Sequence, residues 1–262
     1  MKVIDPDVQF PPFDASAQEQ VAALARRQRR ANGVLMQAIT FVGGQVEDGM
    51  KLLPKGVRGQ IEGAARKALT QSYQAASRTR GGQAARVSGD RTHRVLGTIS
   101  GALGGIGGLP TALAELPVAT TIIFRAVQDV ASQYGEDPAS EATRVECLRV
   151  FGAGAPGGDD DGIDTSFIGA RLSLTGPALH GLISKIAPKF AAVLSQKLAT
   201  QAVPILGAAA GAGTNYAFVD YYVEVAHVHF GLRRAVETYG EEPVLAHFHK
   251  VLAEAKLPVK RA

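Results

Sequence analysis

Glu115 is the residue best placed to do chemistry. It lies in LPTALAELPVATTIIF (109–124), among apolar side chains and between Pro110 and Pro117. A carboxylate there is expected to be partly buried, and burial is costly without a partner. Carboxylates perturbed in this way concentrate at functional sites. Arg125, on the helix expected beyond a break at Pro117, is the natural counter-ion. Two readings follow: a structural ion pair, or a tuned acid or base with Arg125 as electrophilic partner. Glu136 is the other catalytic candidate, and Asp159 and Asp160 complete a hydrolase reading.

The run Asp159-Asp160-Asp161 with Asp164 has the oxygen donors that a hard cation needs. It is no EF-hand, because the glycine falls at 162 and no glutamate closes the loop. A solvated acidic loop is the alternative. His227 with His229 and His247 with His249 form two HxH pairs. Residues two apart on a helix point roughly 200° apart, so neither pair chelates from one helix. A site shared between helices near Glu224 stays open beside solvated or core histidines. No cofactor and no metal are expected.

Nucleotide and hydrolase signatures fail. Gly105-Ile-Gly107-Gly-Leu-Pro110 lacks the third glycine of GxGxxG, and no GxxxxGK[ST] occurs. Gly97-Thr-Ile-Ser100-Gly101 misplaces its serine for a nucleophile elbow. Cys147 has no second cysteine to pair with and reads as a small buried apolar residue.

The elements that must position these groups read as helices, with few runs alternating at period two. Three prolines before residue 14 mark an extended lead-in (1–14). Ser16 and Glu19 stand at capping-box spacing ahead of VAALARRQRR. Further helices are expected at Val34–Met50, Val57–Ala76, Leu116–Tyr134, from Pro138 to about Phe151, from a cap at Asp164 or Thr165 through Leu172, at Ile183–Lys197 and at Tyr216–Tyr239. LLPKG (52–56), Arg78–Asp90 and the acidic, Gly-rich 152–164 are the loops. In YGEDP (134–138) Gly135 stops one helix, Asp137 caps the next and Pro138 opens it. The motif recurs as YGEEP at 239–243. The expected fold is all-α: a compact multi-helix domain with two Gly-rich apolar helices at its centre. A basic helical region (15–90) precedes the core (91–257).

Charge and hydropathy divide the chain. Residues 26–94 hold 14 Lys or Arg against four acids, whereas 95–262 hold 13 against 16. A basic face is ordinarily a solvated surface; Arg26, Arg27, Arg29 and Arg30 head it and are the candidates for meeting an anionic membrane, with a nucleic-acid backbone as the weaker option. Val95–Ala114 and Leu198–Val219 carry no charge over 20 and 22 residues, about the length that spans a bilayer. They also carry prolines and nine glycines between them, which weakens insertion. Gly97, Gly101 and Gly105, like Gly207 and Gly211, step by four and so line one helix face, where another backbone can approach. Such faces serve either a packed core or a hairpin that enters lipid. Asp5, Pro6 and Asp7 interrupt the first residues before any apolar signal segment forms, so a cytoplasmic protein is expected.

Three blocks then resemble the bacterial EcsC family. These are LLPKG (52–56), GGLPTALAELPVATTIIFRAVQDVASQYGEDPASEATRVECLRVFG (107–152) and QKLATQAVPILGAAAGAGTNYAFVDYYVEVAHVHFGLRRAVETYG (196–240). The likeness covers roughly residues 45 to 240. Positions that match the family are Glu115, Pro117, Arg125, Gly135, Glu136, Asp159, Asp160, Arg171, Pro204, Gly207, Asn215, Arg233 and Arg234. A paired aromatic expected before Arg171 is reduced to Phe167. The resemblance implies a mostly helical protein, named after a partner in an ABC-transporter operon, and brings no reaction with it.

The expected function is therefore non-enzymatic: docking at the cytoplasmic face of the inner membrane, accessory to a membrane protein such as an ABC transporter. A carboxylate-based or metal-assisted hydrolase is the first alternative. Nucleic-acid binding is the second and is disfavoured, because no recognition motif accompanies the charge.

Overall fold

The computed structural model describes residues 10–31, 55–78, 89–106, 109–152, 179–188, 190–191 and 207–254. The expected helix at Val34–Met50, most of the two loops at 78–90 and 152–164, Asp159, Asp160, Asp161, Arg171 and Pro204 lie outside them. Every regular element among the described residues is an α-helix, so the fold is all-α.

Helix α1 (Ala15–Ala31) starts at Asp14, not at Ser16: the Asp14 carboxylate accepts the Ala17 N–H at 2.9 Å. Aspartate offers a better-placed acceptor for the first free N–H groups, and Ser16 falls inside the first turn. Buried Ala17, Val21, Leu24, Ala25 and Ala31 give α1 one apolar face, which packs on α6 (Gly207–Tyr239) and α7 (Glu241–Glu254). Helix α2 (Lys55–Arg78) buries Ile61, Ala65, Leu69 and Tyr73 against α4 (Leu109–Gln133).

Helix α3 (Asp90–Ile106) and α4 form a hairpin. The expected break at Pro117 is absent, and Pro117 sits inside α4. Proline removes one backbone hydrogen bond, but the helix continues through it, with Leu116 and Ala119 buried on either side. Gly135, at φ 84°, ends this helix in the left-handed region as expected. The cap of α5 (Glu141–Val150) is Ser140, whose Oγ accepts the Thr143 N–H at 3.1 Å. Asp137 instead closes the preceding turn by accepting the Ala139 N–H at 2.9 Å, which leaves Pro138 ahead of the helix. Gly240 repeats the left-handed stop, at φ 90°.

At 33 residues α6 is the axis of the bundle, about 50 Å long, and α1, α3, α4, α5 and α7 all touch it. Its middle carries the aromatic core. Phe151 lies 4.9 Å from Tyr222, 5.3 Å from Phe190 and 5.9 Å from Phe124, centroid to centroid. A smaller core of Val21, Leu24, Val228, Leu232, Val244 and Phe248 joins α1, α6 and α7.

Candidate functional site

Glycine decides how α3 is turned. A Cβ on Gly97 would lie 2.6 Å from Val219 Cγ2, and one on Gly101 would lie 2.1 Å from the Gly211 carbonyl oxygen. One on Gly211 would lie 3.1 Å from Gly105 Cα. The glycine face of α3 is thus seated on α6, where Gly207 is the first helical residue. Because the glycines face inward, the aliphatic residues between them face outward. Val95, Leu96, Ile99, Leu103 and Ile106 are exposed, Leu103 at 65% and Ile106 at 71%. Val118 of α4 and Tyr216 of α6 are exposed as well.

No charged residue occurs in 95–106, 109–114 or 207–219. The Gly101–Gly211 contact, and a Gly104 whose Cβ would meet Glu115 at 3.0 Å, bring these three helix ends together. Among the described residues, these helix ends form one pole with an aliphatic surface that carries no charged side chain. A patch of this kind on a folded surface marks an interaction site.

Charge begins where this pole ends. Arg94 Nε donates to Asp220 at 2.7 Å, and Glu224 lies 3.0 Å from Arg27 and 3.6 Å from Arg94. This shared carboxylate holds the basic end of α1 beside the start of α3. Arg26 pairs with Glu19. Arg29 and Arg30 are exposed and make no ion pair with any described residue, and Arg91 is exposed at the start of α3.

Glu115 is buried within the pole. Its Oε1 accepts the Ser100 hydroxyl and the Asn215 amide, the latter at 2.8 Å. Arg125 is not its counter-ion: with Pro117 inside the helix, ten residues of rise place it ~15 Å further along α4. Glu136 stands past the other end of that helix, ~27 Å of rise beyond Glu115. Two carboxylates that share a bond-breaking site lie within ~10 Å, so Glu115 and Glu136 do not act as a pair.

Glu136 belongs to a buried charge network. Arg233 Nε donates to Glu136 at 2.9 Å, and a second Arg233 nitrogen reaches Glu146 at 3.0 Å. Arg149 and His229 meet Glu146 at 2.6 and 3.0 Å. Burial pushes the Glu146 carboxyl up, but His229, Arg149 and Arg233 outweigh it and hold it below the ordinary range. His227 points the other way, to Asp90 and to the Tyr134 hydroxyl. The two histidines thus serve opposite faces of α6. Among the described residues no group of His, Cys, Asp and Glu could hold a metal ion, and Cys147 is buried.

A model of the EcsC protein family matches residues 18–234, most of the chain. The chain belongs to the EcsC family. The match begins earlier than the three resembling blocks and takes in most of α1. No curated protein and no solved structure matches this EcsC-family chain.

The outward aliphatic face was the feature that reading the glycine spacing alone passed over. Its signal was present: 95, 99, 103 and 106 follow the same helical period as 97, 101 and 105, displaced to the opposite side. Ser100 carried no local sign of a role and Asn215 was marked only by the family resemblance, since both meet Glu115 only once α3 and α6 are packed.

Proposed function

We propose that this EcsC-family protein docks reversibly on the cytoplasmic face of an anionic membrane, with its uncharged pole in the outer part of one leaflet. The observation that carries this reading is the exposed row Val95, Leu96, Ile99, Leu103 and Ile106 on helix ends without a charged surface side chain among the described residues. Each such side chain gains ~1.5–3 kcal/mol on leaving water completely. Partial burial of five still amounts to several kcal/mol. The uncharged part of α3 is twelve residues long, ~18 Å of helix, against ~15 Å for half of a hydrocarbon core. No helix among the described residues is long and apolar enough to cross a membrane, which favours shallow insertion over spanning.

The polar surroundings suit the same partner. Exposed Arg29, Arg30 and Arg91 near the margin are available to lipid phosphates, at ~1 kcal/mol for each cation close to an anionic surface. A protein held in this way is within reach of an integral membrane partner, such as the ABC transporter that the family's name suggests.

Liposome flotation tests the proposal. The wild-type protein is expected to float with anionic vesicles, less with neutral ones, and to keep part of its binding at high salt. Leu103→Glu with Ile106→Glu is expected to stay with the unbound fraction while melting as the wild type does. Flotation of that double variant at wild-type level would show that the pole is not the docking surface.

A further inference from the structure

A groove of about 420 Å³ lies between α1 and the C-terminal half of α6, within the ~300–1,000 Å³ of small-molecule sites. It is separate from the uncharged pole: Arg234 in its wall stands ~35 Å of helix rise from Gly211. Gly231 sets the approach of the two helices, since a Cβ there would meet Leu24 at 2.6 Å. Ala23, Ala235 and the ring of Tyr239 form the accessible apolar wall, with buried Val21 and Leu24 behind it, and Arg27, Arg234 and Tyr134 supply polar groups.

Two neighbouring arginines have opposite fates here. Arg233 is buried among Glu136, Glu146 and Glu237. Arg234 is exposed, lines the groove and makes no ion pair with any described residue. Arg27, though bound to Glu224, keeps 31% of its side chain exposed.

Behind the groove stands a short relay. The Tyr134 hydroxyl is 3.2 Å from His227 Nδ1, and His227 Nε2 is 3.1 Å from Asp90 Oδ2. The hydrogen bond from His227 holds Asp90 below its ordinary range, and burial pushes the Tyr134 phenol up, so it keeps its proton. A neutral His227 that donates to Asp90 presents a lone pair at Nδ1, which takes the Tyr134 O–H. A protonated His227 donates from both nitrogens, and the Tyr134 O–H is then free to turn into the groove.

We propose that the groove binds a soluble single-chain amphiphile with an anionic head. Arg234, Arg27 and the Tyr134 hydroxyl hold the head, Ala23, Ala235 and Tyr239 line the stem, and protonation of His227 tightens binding. The charged groups around the relay are Asp90 and Arg94 from α3, Arg27 from α1, and Glu224 and Arg234 from α6 itself.

Calorimetric titration of the full chain with decanoate and with inorganic phosphate tests this. Decanoate is expected to saturate at one per chain and to bind more tightly at about pH 5.5 than at about pH 8. Arg234→Gln is expected to weaken it about tenfold, the effect of one lost charge-assisted hydrogen bond. Tyr134→Phe should leave the affinity at the higher pH nearly unchanged and remove the tightening at the lower. Leu103→Glu with Ile106→Glu should bind decanoate as the wild type does, which excludes uptake by the pole. Absent or unsaturable binding, or no effect of Arg234→Gln, overturns the site. Inorganic phosphate binding as tightly as decanoate overturns the apolar stem, and a pH response that survives in Tyr134→Phe overturns the role of His227.

Discussion

Gly101 and Gly211 each occupy the space that a side chain on the other would need. A Cβ on either would lie 2.1 Å from the carbonyl oxygen of its partner. The obstructing atoms are backbone, so no rotamer change relieves the clash, and α3 must move off α6. Gly101→Ala is expected to cost about 3 kcal/mol or more, at the upper end of overpacking substitutions. Gly63→Ala, at a position with nothing within 4 Å, should stabilise slightly, since alanine is the better helix former. Thermal melts of the two variants check the contrast, and equal melting temperatures would contradict it.

Glu115 anchors the same junction from its polar side. Glu115→Ala would leave the Ser100 hydroxyl and the Asn215 amide without their acceptor, at about 1–3 kcal/mol for each buried group. Glu115→Gln keeps an oxygen for one or both donors and should lose clearly less. Denaturant unfolding distinguishes them. If Glu115→Ala proves as stable as the wild type, the carboxylate is not a structural tie and a chemical role returns to consideration.

These residues also show what the sequence disclosed and what it withheld. The four-residue glycine step on α3 and the stop at Gly135 were legible because both are local: a helix face and a left-handed turn follow from neighbours in the chain. The partners of Glu115 were not. Ser100 is 15 residues away and Asn215 is 100, and only the packing of three helices brings them together. Proximity in sequence pointed to Arg125 instead. That pairing depended on a break at Pro117, and the helix continues through the proline. Asp14 and Ser140 replaced the expected caps for a smaller reason, since competing acceptors stood within four residues of one another and the propensity scale barely separates them.

The network around Glu146 makes stability depend on acid. Its carboxyl has an ordinary value of 4.5 and a lower one when folded, so its stabilising contribution is complete above about 4.5 and is lost as pH falls through the folded value. Asp90, lowered by His227 from 3.8, adds to the loss in the same direction at still lower pH. Glu146→Gln would leave Arg149 and Arg233 buried beside a neutral group, a change that costs about 3–5 kcal/mol near neutrality. The variant should also show a flatter decline in stability below pH 4.5. Unfolding free energies across that range provide the check, and an unchanged acid slope would mean that Glu146 is not the group responsible.

The arginines of α1 should divide by their partners. Arg27 ties α1 to Glu224, which also holds Arg94, so Arg27→Gln is expected to lower the melting temperature. Arg29 and Arg30 are exposed and make no ion pair with a described residue, so their removal should leave melting unchanged. If the uncharged pole docks on lipid with this end of α1 near the headgroups, Arg29→Gln with Arg30→Gln should weaken binding to anionic vesicles by about 2 kcal/mol at low salt. At high salt, where surface charge is screened, the difference should vanish. Neutral vesicles should not distinguish the variant from the wild type under either condition. Flotation at two ionic strengths separates the outcomes: a defect that persists in high salt would assign these arginines to the packing of α1 rather than to the membrane.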